Sequence, residues 1–142
     1  MKTETQTDLV VRRTIPASAE ELFDAWLDPK SLALWMTPMD GMTPATVRND
    51  PRVGGEYEII MHAPGHDYPH RGNYRVIDRP RRLAFTWLSD ATGDRETVVT
   101  VEFVPRGAKT EVVLTHAGLD DDAQTKHTQG WSGVLEKLEK FV

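Results

Sequence analysis

Cysteine is absent from the 142 residues. Its absence excludes disulfides, catalytic thiols and thiolate metal sites, and it suits a reducing compartment. No apolar run approaches the roughly 20 residues needed to span a bilayer, and the polar stretch Met1 to Asp8 lacks the apolar heart of a signal peptide. Basic residues are the minority charge, 17 Lys and Arg against 22 Asp and Glu, for a formal charge of −5. Binders of nucleic-acid backbones draw affinity from neutralised phosphates, which sets that class aside. The one basic clump, Arg75, Arg79, Arg81 and Arg82, is interrupted by Asp78 and Pro80 and reads as a solvated hairpin rim. Internal repeats, low-complexity tracts and linker-like composition shifts are also missing. These absences predict one domain over residues 1–142 with residues 1–8 flexible, cytoplasmic, and without membrane or nucleic-acid partners.

What is present changes period along the chain. Residues 9–15 are rich in β-branched side chains and predict a first strand ending at Pro16. Ser18 with Glu21 makes a capping box, and Leu22, Phe23, Trp26 and Leu27 share one helical stripe. Asp28-Pro29 restarts the pattern with a cap and a first-turn proline, and Leu32, Trp35 and Met36 give the second short helix its apolar face. From Thr43 to about Gly118 the period is two, punctuated by Gly, Pro and Asp, as in an antiparallel meander. Six strands are expected, over 45–48, 55–62, 72–77, 83–88, 97–104 and 110–116, with a turn at 63–68.

Side chains two apart share a sheet face. The dry rows are Tyr57, Ile59 and Met61; Tyr74 and Val76; Leu83, Phe85 and Trp87; Val99, Val101 and Phe103; and Val112, Leu114 and His116. The opposite parity is mostly polar. The final segment opens with Asp120, Asp121 and Asp122, where a helix dipole favours negative charge, and carries Trp131, Val134, Leu135, Leu138 and Phe141 on one stripe. An α+β fold follows: a curved antiparallel sheet of about seven strands wrapped around a long C-terminal helix, with two short helices after the first strand.

Several stretches also resemble a known family. They are Pro16-Ala17-Ser18-Ala19-Glu20-Glu21-Leu22-Phe23-Asp24-Ala25-Trp26, Asp28-Pro29, Leu34-Trp35, Asp50-Pro51-Arg52-Val53-Gly54-Gly55-Glu56-Tyr57 and Gly72-Asn73-Tyr74. The segment from Pro80 to Trp87, Thr110-Glu111-Val112-Val113-Leu114-Thr115-His116 and Gly130-Trp131 before Leu135 and Leu138 continue the match. In order and spacing they are similar to the activator of heat-shock-protein-90 ATPase homologues of the START-like, or SRPBCC, superfamily. The resemblance implies a helix-grip fold whose cavity takes an apolar or amphipathic small molecule. It also implies two alternatives: cyclase, dehydratase or hydrolase chemistry in that cavity, and a stress-response contact with a chaperone. The eukaryotic co-chaperone behind the family name carries a further N-terminal domain for which the residues before Leu9 leave no room, so its activity is not transferred.

The candidate ligand-binding set is aromatic and methionine-rich: Trp35, Met36, Met39, Tyr57, Met61, Tyr74, Phe85, Trp87 and Trp131, joined by Ile59, Val101, Phe103, Leu114 and Leu135. Met36 and Met39 suit an adaptable lid. His116, on a dry row, either orients a ligand or bonds internally, and is the acid or base if the protein is an enzyme, with Tyr57 or Tyr74 as donor. His127 shares a helical face with Trp131 and is expected near His116 at a cavity mouth. His62, His66, His70 and Asp67 have metal-ligand chemistry, but Pro64, Gly65 and Pro69 preclude the helix that would align them, and a polar hairpin loop is expected instead. No metal or cofactor is expected; Gly54-Gly55 lacks the Gly-Lys-Ser/Thr of a phosphate loop, and Gly-x-Ser-x-Gly is absent. Gly130 and Gly133 each weaken the last helix by about 1 kcal/mol relative to alanine, so either close packing or room for a ligand must offset them. A homodimer through the edge at the first strand or through the helix end is permitted by the pattern but not indicated by it.

Overall fold

The computed structural model describes residues 8–142; the flexibility expected of residues 1–8 falls outside it except at Asp8. Strand β1 (Leu9–Ile15) is followed by α1 (Ala19–Leu27) and α2 (Pro29–Trp35). Strands β2 (Thr43–Asn49), β3 (Glu56–Ala63), β4 (His66–Asp78), β5 (Arg82–Trp87), β6 (Thr97–Arg106) and β7 (Lys109–Ala117) then lead to α3 (Asp121–Phe141). All strand pairs are antiparallel, in the order β1-β7-β6-β5-β4-β3-β2.

Local chemistry sets the helix boundaries. The Ser18 side chain accepts from the Glu21 N–H, Asp28 from Ser31 and Asp120 from Ala123, each filling an orphan donor of a first turn. Leu22, Phe23, Trp26, Leu32 and Trp35 are all nearly inaccessible and join the dry sheet rows and α3 in one core. The Trp35 indole N–H satisfies itself on the Ala25 carbonyl at 3.2 Å. Arg79 clasps Asp24 with two parallel bonds of 2.8 and 2.9 Å and ties the β4–β5 turn to α1.

Three sequence expectations are corrected. Strand β4 begins at His66, six residues before its expected start, because Pro64-Gly65 alone makes the turn and residues 66–73 pair with 56–63. Pro69 is tolerated because β5 pairing ends at the Arg71–Leu88 bridge, leaving this part of β4 with a neighbour on one side only. A bulge between Tyr74 and Val76 then flips the parity, so Ile77, opposite Leu83, packs on the core where Val76 was expected. Finally, Phe141 is 39% exposed. Ten residues rotate a helix to about 80° from Trp131, whereas Val142 returns to within about 20°, and Val142 is the residue that packs.

The two helix glycines play different parts. A Cβ on Gly133 would lie 2.3 Å from the Pro38 carbonyl oxygen, so α3 meets the segment after α2 backbone to backbone there. A Cβ on Gly130 would meet nothing within 4 Å. Gly130→Ala is therefore expected to stabilise the protein by about 1 kcal/mol. Gly133→Ala is expected to destabilise it by about 1–3 kcal/mol through overpacking, and urea unfolding of the two variants checks the opposite signs.

Candidate functional site

The inner ends of these elements enclose two spaces of unequal size, separated by Trp87. The inner one, about 10 Å³, lies among Trp26, Leu32, Met36, Tyr57, Ile59, Tyr74, Phe85 and Trp87. That is room for about one water. The outer cavity measures about 390 Å³. Its walls are Pro38, Met39 and Met42 after α2, Met61, Tyr68 and His70 of the β3–β4 hairpin, Trp87, and Ala91 in the short turn 90–92. Lys126, His127, Gln129, Gly130, Trp131 and Val134 of α3 close it. None of these lining residues is acidic, although acidic residues outnumber basic ones in the chain.

Under the cavity runs a continuous chain of hydrogen bonds. The Trp131 indole can only donate, and its Nε1 lies 3.0 Å from His116 Nδ1, so that nitrogen accepts. A neutral imidazole then carries its proton on Nε2, which donates to Thr97 Oγ1 at 2.8 Å. Thr97 passes its own hydrogen to the Trp87 carbonyl at 2.6 Å. Every link has one donor and one acceptor, and His116 is fully inaccessible. Burial, with His127 beside it, pushes the His116 pKa down to about 3.

Two further imidazoles flank this chain. His127 packs edge to face on His116, ring centres 4.9 Å apart, and its Nδ1 donates to the Ala123 carbonyl at 2.8 Å. Its pKa is lowered by burial and by the neighbouring Lys126 charge. His70 stacks on Trp87 at 4.6 Å with Nδ1 3.3 Å from the Ile59 carbonyl. Burial takes its pKa down to about 4 against the pull of the Ile59 and Tyr68 carbonyls and Asp90, and His127 reinforces the fall. Trp87 and Trp131 meet in a tilted contact, ring centres 4.9 Å apart. The Trp87 indole N–H is enclosed without a partner.

Of the expected binding residues, Met39, Met61, Trp87, His127 and Trp131 meet around the outer cavity, while Met36, Tyr57, Ile59, Tyr74 and Phe85 surround the inner void. Trp35, Val101, Phe103, Leu114, His116 and Leu135 are buried in packing and reach neither space. His116 is thus bonded internally at both nitrogens. The Tyr57 hydroxyl donates to the Thr86 carbonyl, and the Tyr74 hydroxyl accepts from Asn49 Nδ2 at 3.1 Å, so neither is placed beside His116 for acid–base work. Tyr68, His70, Met42, Lys126, Gln129 and Val134 were not foreseen. Counting back by twos from Tyr74 through Gly72 reaches His70 and Tyr68, a signal hidden by the loop-like Pro64, Gly65 and Pro69.

The three histidines of the β3–β4 hairpin have separate tasks. His62 bridges Thr46 Oγ1 and Asp67 Oδ1, each at 2.8 Å, His66 stacks on Tyr68, and His70 faces the cavity. Among the described residues no three His, Cys, Asp or Glu side chains gather as a metal site, and no helix is long and apolar enough to cross a membrane. The exposed large apolar residues outside the cavity rim, Val10, Leu34, Val53 and Phe141, fall on four separate segments.

Sequence comparison matches residues 16–142 to the family described as Activator of Hsp90 ATPase homolog 1-like protein. The chain belongs to this family. No functionally curated protein matches it. Solved structures share the fold, among them a Chromobacterium violaceum protein with 24% identity and a TM-score of 0.81 over 95% of this chain and 96% of its own. A Rhodobacter sphaeroides protein has 23% identity and a TM-score of 0.81, covering 98% and 94%. An AHSA1-like protein of Aeromonas hydrophila has 23% and 0.77, covering 94% and 91%. The architecture is the START-like helix grip that the family resemblance implied.

Buried neutral imidazoles make stability depend on pH in one direction. An unfolded histidine takes up a proton below about pH 6.5, whereas folded His116 does so only near 3 and His70 near 4. Stability is therefore whole above about pH 6.5 and drains as pH falls towards those folded values. Urea titrations are expected to show about 2 kcal/mol less stability at pH 5 than at pH 7 from His116 alone. An unchanged unfolding free energy would contradict the neutral, bonded imidazole.

Proposed function

We propose that this domain binds an apolar or amphipathic small molecule in the outer cavity, between the β3–β4 hairpin, the segment after α2, and α3. The observation that carries the reading is a space of about 390 Å³ walled by Met39, Met42, Met61, Trp87, Trp131 and Val134. Small-molecule sites usually occupy roughly 300–1,000 Å³ with mostly apolar walls and a few polar groups. Three methionines give those walls adjustable shape, which suits binding across a chemical class. The family's START-like fold is consistent with small-molecule binding.

Binding is favoured over acid–base chemistry by His116, because its two nitrogens are bonded internally and the Tyr57 and Tyr74 hydroxyls are engaged away from it. The lack of cysteine supports the cytoplasm as the place where the domain works.

The test fills the cavity from the helix side. Gly130 borders it and a Cβ there would meet nothing within 4 Å, so Gly130→Leu is expected to project its side chain into the space. An amphipathic fluorophore such as 1-anilinonaphthalene-8-sulfonate is expected to bind the native protein and to lose at least about tenfold in affinity in the variant. Near-ultraviolet circular dichroism of both proteins checks that the fold is intact. Equal binding by the two would place the probe elsewhere and sink this assignment.

A further inference from the structure

The polar groups of the cavity carry chemical information beyond its volume. A neutral imidazole has one N–H and one lone-pair nitrogen. In His127 the N–H is committed to the Ala123 carbonyl, a group that can only accept, so Nε2 is the lone-pair nitrogen. In His70 the single N–H likewise goes to backbone carbonyl, with Nδ1 facing Ile59. Both residues line the cavity, and neither ring's remaining nitrogen has a protein donor. His116 differs, since Trp131 fills its lone pair. The Trp87 N–H is fully enclosed and cannot reach an occupant of the open space.

We infer that the ligand of this cavity carries a hydroxyl or equivalent hydrogen-bond donor on its apolar body and gives it to one of the two unshared ring nitrogens, that of His127 or that of His70. The inference rests on the binding reading above and narrows it to a class: alcohols and phenols rather than hydrocarbons, ethers or esters of the same shape. An occupant without a donor seals two acceptors away from water unpaired, which is the costly arrangement. One with a donor pairs one of them in place of the water it loses. Both rings stay acceptors at neutral pH for reasons in their surroundings: burial disfavours the charged form of each, Lys126 stands next to His127, and His127 disfavours a proton on His70. Asp90 acts the other way on His70 but does not outweigh burial.

A matched pair decides the matter: 1-naphthol and 1-methoxynaphthalene, titrated by calorimetry into the whole protein at pH 7, where both probes are uncharged. Naphthol is expected to bind about tenfold more tightly. His127→Phe and His70→Phe keep an aromatic ring but remove the acceptor. Losing His127 leaves the Ala123 carbonyl its helix partner, so the double variant is expected to fold and to bind both probes alike, with methoxynaphthalene gaining the affinity that the unpaired acceptors cost it. Nitrogen resonances of the labelled native protein give an independent readout, because the unshared nitrogen of His127 or of His70 should move off the value of an unshared imidazole nitrogen when naphthol binds, and neither should when the ether does. Equal binding of the pair to the native protein overturns the donor inference and leaves cavity binding standing. A preference that survives in the double variant overturns it as well. Binding of neither probe overturns the cavity reading and this inference with it.

Discussion

A helix held in a curved sheet by apolar contacts alone is free to slide and roll, because dispersion and burial have little directionality. Here α3 is pinned by the hydrogen-bonded chain from Trp131 through His116 and Thr97 to the Trp87 carbonyl. The chain joins the helix to β7, β6 and β5 in turn, and it works only with His116 neutral and in one tautomer. Its directionality fixes how α3 is rotated, and that rotation decides which side chains face the cavity. His127, one turn before Trp131, is brought against His116, and Gly130 is left facing open space. One turn further on, Gly133 meets the Pro38 backbone and locates the segment that carries Met39 and Met42.

The architecture was legible because each element was specified locally and consistently. Ser18, Asp28 and Asp120 marked helix starts, period-two rows marked strands, and the stripe through Trp131 and Leu138 marked the gripped helix. The misses occurred where local signals conflict with tertiary context. Pro64, Gly65 and Pro69 advertise a loop, yet a turn needs only two of those residues, and Pro69 fits a strand with one free side. The bulge at Arg75 has no signature in a single sequence and inverts the face of every side chain after it up to the turn.

The candidate site was less legible for a related reason. Apolar patterning shows that a side chain faces inwards but not whether the space before it is filled. Leu114, Phe103 and Trp131 obey the same rule, yet the first two are in solid packing and the third borders a cavity. Emptiness depends on what the opposite surface lacks, and that surface includes Gly130 and residues 38–42, which no strand or helix pattern describes. Lys126 and Gln129 escaped notice because they read as the wet side of an amphipathic helix, which holds only where solvent and not a cavity lies beside them.

The two halves of α3 are held by different forces, and this bears on where the domain can adapt. The C-terminal half is buried through Leu135 and Leu138 and tethered to β1 by the 2.6 Å contact between Arg13 and Glu139. The N-terminal half has the Asp120 cap, buried Ala123 and the imidazole chain, and its remaining inner surface borders space rather than side chains. Fewer packed neighbours mean a smaller cost of local displacement. The segment after α2 shares this condition, since Met39 is half exposed while Met36, three residues earlier, is wholly enclosed. Displacing the walls formed by these two segments therefore costs less than displacing the sheet or the C-terminal half of the helix. The imidazole chain, fully satisfied beneath the cavity, keeps the floor fixed while the walls adjust.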